Sequence, residues 1–286
     1  MAKLREIRKR IKSVRNTRQI TKTMEMVATA KFKRALDRVK AATPYSTEIE
    51  NLLKASATAA PAAAAAHPLV RAGKEGAPEG VLLFTANRGL CGAFNTNVIK
   101  RARAACDSAQ GGFALSVAGK KGITFFRFQG VELARKYTQF DDKPRFAQAQ
   151  ETARDFVADF TEGRIRSLSL VYTSFKSAGE QKPVLVPVLP VPLGSAAEGT
   201  GIPPLTDPAP AVLLERLVPL WLELQFYRAL AESTACEQVA RRVAMKSATD
   251  NADEMVKGLT MEANRSRQAQ ITQEIAEIVG GAEAIG

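Results

Sequence analysis

The sequence predicts an α/β protein whose two termini pair as a long antiparallel two-helix coiled coil. The middle of the chain is predicted to form an inserted Rossmann-like, three-layer α/β domain. Two observations predict the coiled coil: both ends of the chain lack helix breakers over long stretches, and apolar residues recur there every three or four positions. A third observation predicts the inserted domain, because short apolar runs alternate with helical patterns in the middle of the chain.

The C-terminal coiled-coil helix is predicted over residues 210–286. Proline is absent from Leu220 to Val279, and the only glycine in that stretch is Gly258. About sixty helical residues would measure roughly 90 Å, longer than an ordinary domain is wide. The helix therefore needs a second helix, or the interior of a partner, to cover its apolar stripe. That stripe consists of Ala248, Ala252, Met255, Leu259, Ile271, Ile275 and Ile278.

The N-terminal coiled-coil helix is predicted over residues 1–57, with a kink at Pro44, the first proline. Its stripe consists of Leu4, Ile7, Ile11, Val14, Ile20, Met24 and Val27. A polar patch interrupts this stripe. A solvated helix face is one interpretation of it, but it lies where the stripe should continue, so we expect it to contact something other than the partner helix. The patch consists of Arg15, Asn16, Thr17, Arg18, Gln19, Thr21 and Lys22.

The middle of the chain changes character twice. Residues 58–79, rich in alanine, proline and glycine, are predicted to be a linker, and residues 80–200 to be the Rossmann-like domain. Strands are predicted at 81–85, 113–118, 167–174 and 184–191, and helices at 93–109, from 119 onward and at 145–160. Residues 200–210, rich in proline and glycine, lead back to the coiled coil.

The positive charge is concentrated at one end of the chain. The first 40 residues hold 14 Lys and Arg against three acidic residues, a balance of +11 out of the total of +12. A basic helix of this kind binds nucleic acid, anionic lipid or an acidic protein surface, and charge alone does not choose among them. No apolar run in the sequence approaches the length of a transmembrane helix.

Features that could support enzyme chemistry are weak, and we predict no catalytic residue, metal site or cofactor. The loop 88–92, with sequence RGLCG, is neither a Walker A loop nor a GxGxxG motif, so a tight turn is favoured over nucleotide binding. His67 is expected to be a surface loop residue with no nearby carboxylate, and the adjacent Asp141 and Asp142 are expected to be solvated. The cysteines lack metal-type spacing and are expected to be reduced thiols: Cys91, Cys106 and Cys236.

Polar residues interrupt the C-terminal stripe at 264–272. Arg267 can form a planar fork with a carboxylate, and Gln268 and Thr272 add hydrogen-bond donors and acceptors, although a solvated helix face is the alternative. Beyond this segment the helix outreaches the shorter N-terminal helix. We expect this tip to fit an apolar sleeve on a partner through Ile271, Ile275, Ile278 and Val279.

Three stretches resemble signatures of the gamma subunit of F-type ATP synthases, and they occur in that family's order. Residues 20–28 (ITKTMEMVA) resemble the N-terminal signature, and residues 88–95 (RGLCGAFN) resemble the central motif. Residues 264–275 (NRSRQAQITQEI), continuing to Ala282, resemble the C-terminal signature. The resemblance covers essentially the whole chain. The sequence departs from the family pattern at Cys236 and Arg242, where a small residue and an apolar residue are expected, so the local packing there is not implied by the resemblance.

The resemblance implies a non-catalytic central rotor stalk that couples rotation of a proton-driven c-subunit ring to conformational change at beta-subunit catalytic sites. The implied partners are three alpha and three beta subunits, the epsilon subunit and the c ring, with no nucleic acid. The implied location is peripheral, on the cytoplasmic side of a bacterial inner membrane.

Site residues follow from the resemblance by position. Arg267, Gln268 and Thr272 would contact a loop of one beta subunit. Met24, with its neighbours Lys22 and Glu25, would lie close to the acidic lever of a beta subunit. The tip residues Ile271, Ile275, Ile278 and Val279 would turn in a bearing formed by alpha and beta subunits.

Two other classes of protein remain open from the residues alone. An RNA-binding coiled coil would explain the basic helix, but it leaves the apolar tip without a role, and Phe32 is the only aromatic residue among the first 40. A nucleotide-binding enzyme would be built on the Gly89–Gly92 loop.

Overall fold

The computed structural model describes residues 2–109, 111–193 and 208–283. The helices are α1 (Ala2–Ala59), α2 (Pro61–Ala66), α3 (Phe94–Asp107), α4 (Lys120–Phe128), α5 (Phe146–Thr161) and α6 (Pro210–Glu283). The strands are β1 (Glu79–Phe84), β2 (Phe113–Ala118), β3 (Arg135–Tyr137), β4 (Ser167–Phe175) and β5 (Gln181–Leu189).

Internal contacts divide the chain into two compact units. We call Met1–Ala28 with Arg241–Gly286 the terminal unit, and Thr29–Ala240 the central unit. Helices α1 and α6 contribute residues to both. Long helices at both ends of the chain and a mixed five-stranded sheet between them confirm the predicted fold class.

The central unit is built on a sheet with strand order β3-β2-β1-β4-β5. The first four strands pair in parallel, and β5 runs antiparallel to β4. Residues of β1 alternate between the two faces: Val81 and Leu83 join one apolar cluster, and Leu82 and Phe84 join another. A strand buried on both faces needs a continuous apolar run, which is why the 81–85 segment is recognisable in the sequence.

Helices cover both faces of this sheet and make the unit three-layered. On one face, Val98 and Ala102 of α3 and Phe126 of α4 pack with Val81 and Leu83. On the other face the apolar cluster includes residues of α5, of the N-terminal part of α6 and of the C-terminal part of α1, with Phe156, Phe226 and Leu53 as representatives.

Several elements differ from the sequence prediction. Strand β3 was not predicted, because three residues at a sheet edge carry too little periodicity to be recognised. Helix α1 includes Pro44, as predicted, and ends at Ala59, two residues past its predicted end at residue 57. The segment 58–79 contains α2 and places Leu69 in the core, where its carbonyl oxygen accepts the N–H of Val191 at 2.8 Å. Most of the predicted return segment 200–210 lies outside the described residues.

Candidate functional site

The terminal unit contains an antiparallel pair formed by the start of α1 and the end of α6. The hydroxyl oxygens of Thr21 and Thr249 lie 2.8 Å apart, and Arg18 forms an ion pair with Asp253. The two pairings run in opposite directions along the two helices, as a helical hairpin requires. Buried side chains line the seam between the helices: Ile7, Thr21, Ala28, Met245, Thr249, Ala252 and Ala263.

The seam differs from the predicted stripes at several places. The stripe residues Ile20 and Val27 of α1 are 60% and 49% exposed. Thr21 and Arg18 belong to the polar patch expected to contact something other than the partner helix. Thr21 is buried against Thr249 and Arg18 is ion-paired with Asp253 of α6, so that expectation is wrong for both residues. Met255, a predicted stripe residue, is 48% exposed. The hydroxyl of Thr249 forms hydrogen bonds within the seam, which allows a polar residue to occupy a position that apolar periodicity alone would not select.

The register of the pair determines which residues of α6 lie beyond α1. Each residue of α1 lies level with the α6 residue whose number is about 270 minus its own. The burial of both Ile7 and Ala263 agrees with that register. Since α1 begins at Ala2, the part of α6 past residue 270 has no α1 residue alongside. Its apolar side chains are exposed: Ile271 by 47%, Ile275 by 56%, Ile278 by 72% and Val279 by 52%.

The predicted contact residues on α1 form a small mixed surface. The ammonium group of Lys22 lies 3.1 Å from the Oε2 atom of Glu25 and is itself exposed. Met24 and Glu25 are half-buried. A flexible thioether beside a paired cation and carboxylate offers a partner both an apolar and a charged contact.

The predicted contact residues on α6 are more exposed. The side chains of Arg267 and Gln268 project from the helix into solvent, and the Thr272 hydroxyl donates to the carbonyl oxygen of Gln268 at 3.0 Å. By the register, Arg267 lies level with the first residues of α1, whereas Met24 lies level with about residue 246. The structure therefore places the two predicted contact groups roughly 30 Å apart along the pair, as two separate surfaces.

Side chains of residues next to the glycine loop accept hydrogen bonds from backbone N–H groups around it. The N–H of Lys120 donates to Asn87 Oδ1 at 3.0 Å, and the N–H of Gly122 donates to Thr85 Oγ1 at 3.0 Å. The N–H of Ala86 donates to Asn95 Oδ1 at 2.9 Å. Backbone N–H groups that cradle phosphate must be free to reach it. These bonds favour the predicted tight turn over a nucleotide site.

The chain is similar to known proteins along its whole length. The ATP synthase family profile matches residues 3–285. An ATP synthase gamma chain from Leptospira biflexa is 44% identical over 290 residues, covering 100% of both chains. One from Gemmatimonas aurantiaca is 44% identical over 292 residues, covering 100% of this chain and 99% of that protein. The chain belongs to the ATP synthase gamma-chain family.

A solved structure shares the fold of this gamma chain. It is a chain of the Euglena gracilis mitochondrial ATP synthase, in a structure described as OSCP/F1/c-ring in rotational state 3. The TM-score is 0.69 at 17% identity, over 99% of this chain and 95% of that chain. Membership of the family makes this gamma chain a subunit of the ATP synthase complex, in which catalysis belongs to other subunits.

Two carboxylates of the gamma chain that matter for its architecture were not predicted. Asp142, expected to be solvated, instead contacts Lys31 and accepts a hydrogen bond from Gln238 at 3.3 Å, so that expectation is wrong. Asp141 accepts the N–H of Lys143 at 2.8 Å in the same loop. Adjacent acidic residues in a loop carry no sequence signal for such long-range contacts.

The second carboxylate belongs to Glu232, which is 4% exposed. It accepts hydrogen bonds from the Ser174 hydroxyl at 2.7 Å, the Phe175 N–H at 3.1 Å and the Arg228 guanidinium at 2.8 Å. Three donors, one of them charged, satisfy the hydrogen-bonding capacity of this buried carboxylate. Burial, and secondarily the nearby Glu232, raises the pKa of Tyr172 to about 12.

The cysteines and the histidine of the gamma chain have structural surroundings. Cys91, Cys106 and Cys236 are buried and form no disulfide in the described parts of the chain. Cys236 packs in a small apolar cluster with Ala86, Cys91 and Phe94, so the departure from the family pattern at this position is accommodated in the core. His67 was predicted to have no nearby carboxylate; Glu215 lies close enough to influence its pKa, so that prediction is wrong.

Neither a metal site nor a membrane span is found in the described parts of the gamma chain. No group of three or more His, Cys, Asp or Glu residues there could hold a metal ion. Within the same ranges, every helix is too short or too polar to cross a membrane.

Proposed function

We propose that this gamma chain is the rotating shaft that couples the c ring of an F-type ATP synthase to the catalytic sites of its beta subunits. The observation that carries this proposal is the single-helix extension of α6 past residue 270, with four exposed apolar side chains on it. Apolar residues that stay exposed in series on one helix indicate a partner surface. A shaft that ends inside other subunits requires such a tip.

The tip is proposed to turn in a bearing formed by alpha and beta subunits. Ile271, Ile275 and Ile278 recur at three- and four-residue steps, so they share one face of the helix. An apolar sleeve can hold this face while it rotates, because apolar contact is non-directional and presents no fixed hydrogen-bonding positions.

Two surfaces of the helix pair are proposed to contact beta subunits. Arg267, Gln268 and Thr272 would bind a beta-subunit loop, with the exposed Arg267 guanidinium available as a planar fork for a carboxylate. Met24, with Lys22 and Glu25, would lie against the acidic lever of a beta subunit. The two surfaces are about 30 Å apart along the pair, so they would engage different parts of the surrounding ring.

The basic face of α1 supports an acidic partner. The exposed cationic side chains of its first turns are Arg5, Arg8, Lys9, Arg10, Lys12 and Arg15. Clustered exposed cations raise the rate of association with an acidic surface and determine its orientation. An acidic lever of a beta subunit fits this charge without any role for nucleic acid.

Coupling would follow from asymmetry. A single chain inside a ring of three alpha and three beta subunits contacts each beta subunit differently. Each orientation of the shaft would then stabilise a different beta conformation and hence a different nucleotide affinity. The α-helix suits this task because its backbone hydrogen bonds are internal, and a second helix alongside resists bending.

The remaining partners are proposed from the family and from the Euglena gracilis ATP synthase structure, which includes F1 and a c ring. The central unit would contact the epsilon subunit and the c ring. The complex would be peripheral to a bacterial inner membrane on the cytoplasmic side, apart from its membrane-embedded ring.

Purification of the complex tests the function directly. An affinity tag on this chain, in membranes of a host that expresses the remaining subunits from the same source, should recover alpha and beta chains together with ATPase activity. Recovery of the tagged chain without alpha and beta would overturn the proposal. RNA retained in a steeply salt-dependent manner would instead support the nucleic-acid-binding alternative.

A further inference from the structure

We propose that Asp142 is a positioning residue that fixes both long helices to the α/β domain. It is required to transmit torque between that domain and the two helices. The inference rests on the proposed shaft function. Asp142, Lys31 and Gln238 all lie inside the central unit.

Asp142 lies in the loop between β3 and α5, and its carboxylate contacts both helices. One carboxylate oxygen is paired with the Lys31 ammonium group on α1. The other accepts a hydrogen bond from the Gln238 amide on α6 at 3.3 Å. The backbone carbonyl oxygen of Asp142 also accepts from the Arg38 guanidinium at 3.4 Å. One loop residue of the α/β domain thus bonds to α1 twice and to α6 once.

The orientation of the Gln238 amide depends on this contact. Gln238 is 1% exposed, and its Oε1 atom has no donor among the described residues. Rotating the amide by half a turn would bring Oε1 against the Asp142 carboxylate, where two acceptors repel each other. Asp142 therefore fixes both the position and the direction of a buried side chain on α6.

The position of this contact along the helices suits torque transmission. Lys31 is two residues from the start of the central unit at Thr29, and Gln238 is two residues from its end at Ala240. The buried residues of the main apolar cluster include Ile49 and Leu53 of α1. On α6 the last of them is Leu230. The Asp142 carboxylate therefore bonds to each helix within one turn of the ends of this unit, beyond the main apolar cluster.

Apolar contacts near Asp142 restrain the helices differently from its hydrogen bonds and ion pair. The Phe32 and Phe175 rings lie 5.8 Å apart, and Cys236 packs with Phe94. Apolar contacts are non-directional and allow a helix to roll. Hydrogen bonds and ion pairs depend on angle and distance. Glu232 restrains α6 against β4, whereas Asp142 restrains α1 and α6 together.

Asp142→Ala separates torque transmission from assembly when measured in the purified complex reconstituted into liposomes. Two quantities are compared: the rate of ATP hydrolysis, and ATP-driven proton uptake per ATP hydrolysed. We expect hydrolysis to stay close to that of the wild type and proton uptake per ATP to fall roughly two-fold, the scale set by one partly exposed ion pair.

Asp141→Ala is the matched control, because this neighbouring carboxylate bonds to the Lys143 N–H within the loop. It should leave both quantities unchanged. Exchanging the charges, with Lys31→Asp and Asp142→Lys in one chain, should recover at least part of the lost proton uptake. Recovery by the exchanged pair would not be expected if Asp142 served only to shape its own loop.

Two results would overturn the proposal, and in both of them proton uptake per ATP is unchanged in Asp142→Ala: either hydrolysis is also unchanged, or hydrolysis is reduced. The first would show that the contact carries no torque, and the second would show a general structural role. A wild-type complex that contains this chain but does not pump protons would instead refute the proposed function, so the two failures are distinguishable.

Discussion

The hydroxyl oxygens of Thr21 and Thr249 lie 2.8 Å apart inside the helix seam, and both residues are buried. Each hydroxyl is also placed to donate to its own helix, Thr21 to the Arg18 carbonyl oxygen at 3.0 Å and Thr249 to the Met245 carbonyl oxygen at 2.8 Å. Only two hydroxyl protons are available for these three contacts. When one hydroxyl donates to the other, its own helix carbonyl therefore receives no hydrogen bond from it. The pair is therefore satisfied in two alternative ways.

This proton count predicts the stability of valine variants. Thr21→Val or Thr249→Val alone leaves the other hydroxyl bonded to its own helix, so each should cost only about 0.5–1 kcal/mol. The double variant should cost less than the sum of the two, because replacing both partners by apolar groups of the same shape removes the desolvation penalty.

Hydrogen–deuterium exchange of α6 residues 241–256 in the full chain measures these changes. Thr23→Val is the control, since the exposed Thr23 hydroxyl bonds only to the Gln19 carbonyl oxygen in the described contacts. Costs that add fully in the double variant would rule out coupling between the two hydroxyls.

Met24→Lys should lower coupling efficiency more than it lowers ATP hydrolysis. The substitution places a new cation beside Lys22 and Glu25, at the surface proposed to face the acidic lever of a beta subunit. The measurement is ATP-driven proton uptake per ATP hydrolysed in reconstituted complex. Met26 lies on a different side of the helix and is 57% exposed, so Met26→Lys adds the same charge there and should have a smaller effect. Equal loss of both activities, or no change, would contradict the proposed contact.

Arg267→Ala together with Gln268→Ala should slow ATP turnover in the assembled complex and leave the isolated chain folded. Both side chains are exposed, so their removal costs the chain itself little, within about 0.5 kcal/mol. Steady-state ATPase assays and circular dichroism of the free chain check the two halves of this prediction. The exposed Arg265, changed to Ala, is the control for loss of positive charge nearby. Unchanged turnover in the double variant would refute contact with the beta-subunit loop.

His67 should make the stability of the chain depend on pH. Burial lowers the pKa of His67 below its usual value of 6.5, and Glu215 opposes that shift. The neutral ring is also needed because its Nδ1 atom accepts the Leu69 N–H at 3.2 Å. A group whose folded-state pKa is lowered in this way favours the folded state above pH 6.5, and the contribution is lost as pH falls below that value.

Thermal unfolding of the full chain at a series of pH values measures this contribution. His67→Asn keeps a side-chain acceptor for the Leu69 N–H but does not titrate in this range, so its stability should vary less with pH between about 7.5 and 5.5. An identical pH dependence in the variant and the wild type would show that His67 does not contribute to it.

The elements of this fold were largely predictable, and their contacts were not. Helix and strand periodicities are local, so the two long helices, β1, β2, β4 and α5 were recognisable from neighbouring residues. The three-residue β3 was missed because its extended conformation depends on pairing with β2 and not on a local sequence pattern. Asp142 was interpreted as solvated because its partners, Lys31 and Gln238, are about a hundred residues away in either direction.

The sequence by itself determined that both ends of this gamma chain are helices, that the N-terminal one is basic, and that family signatures occur at both. Spacing and charge along a helix are written in consecutive residues. Only the tertiary structure decided the register that pairs Thr21 with Thr249. In that register no α1 residue lies alongside α6 past residue 270. It also decided that Asp142 joins α1 and α6. Register and such long-range bonds depend on which distant surfaces fit together, and the periodicity of either helix permits several alignments.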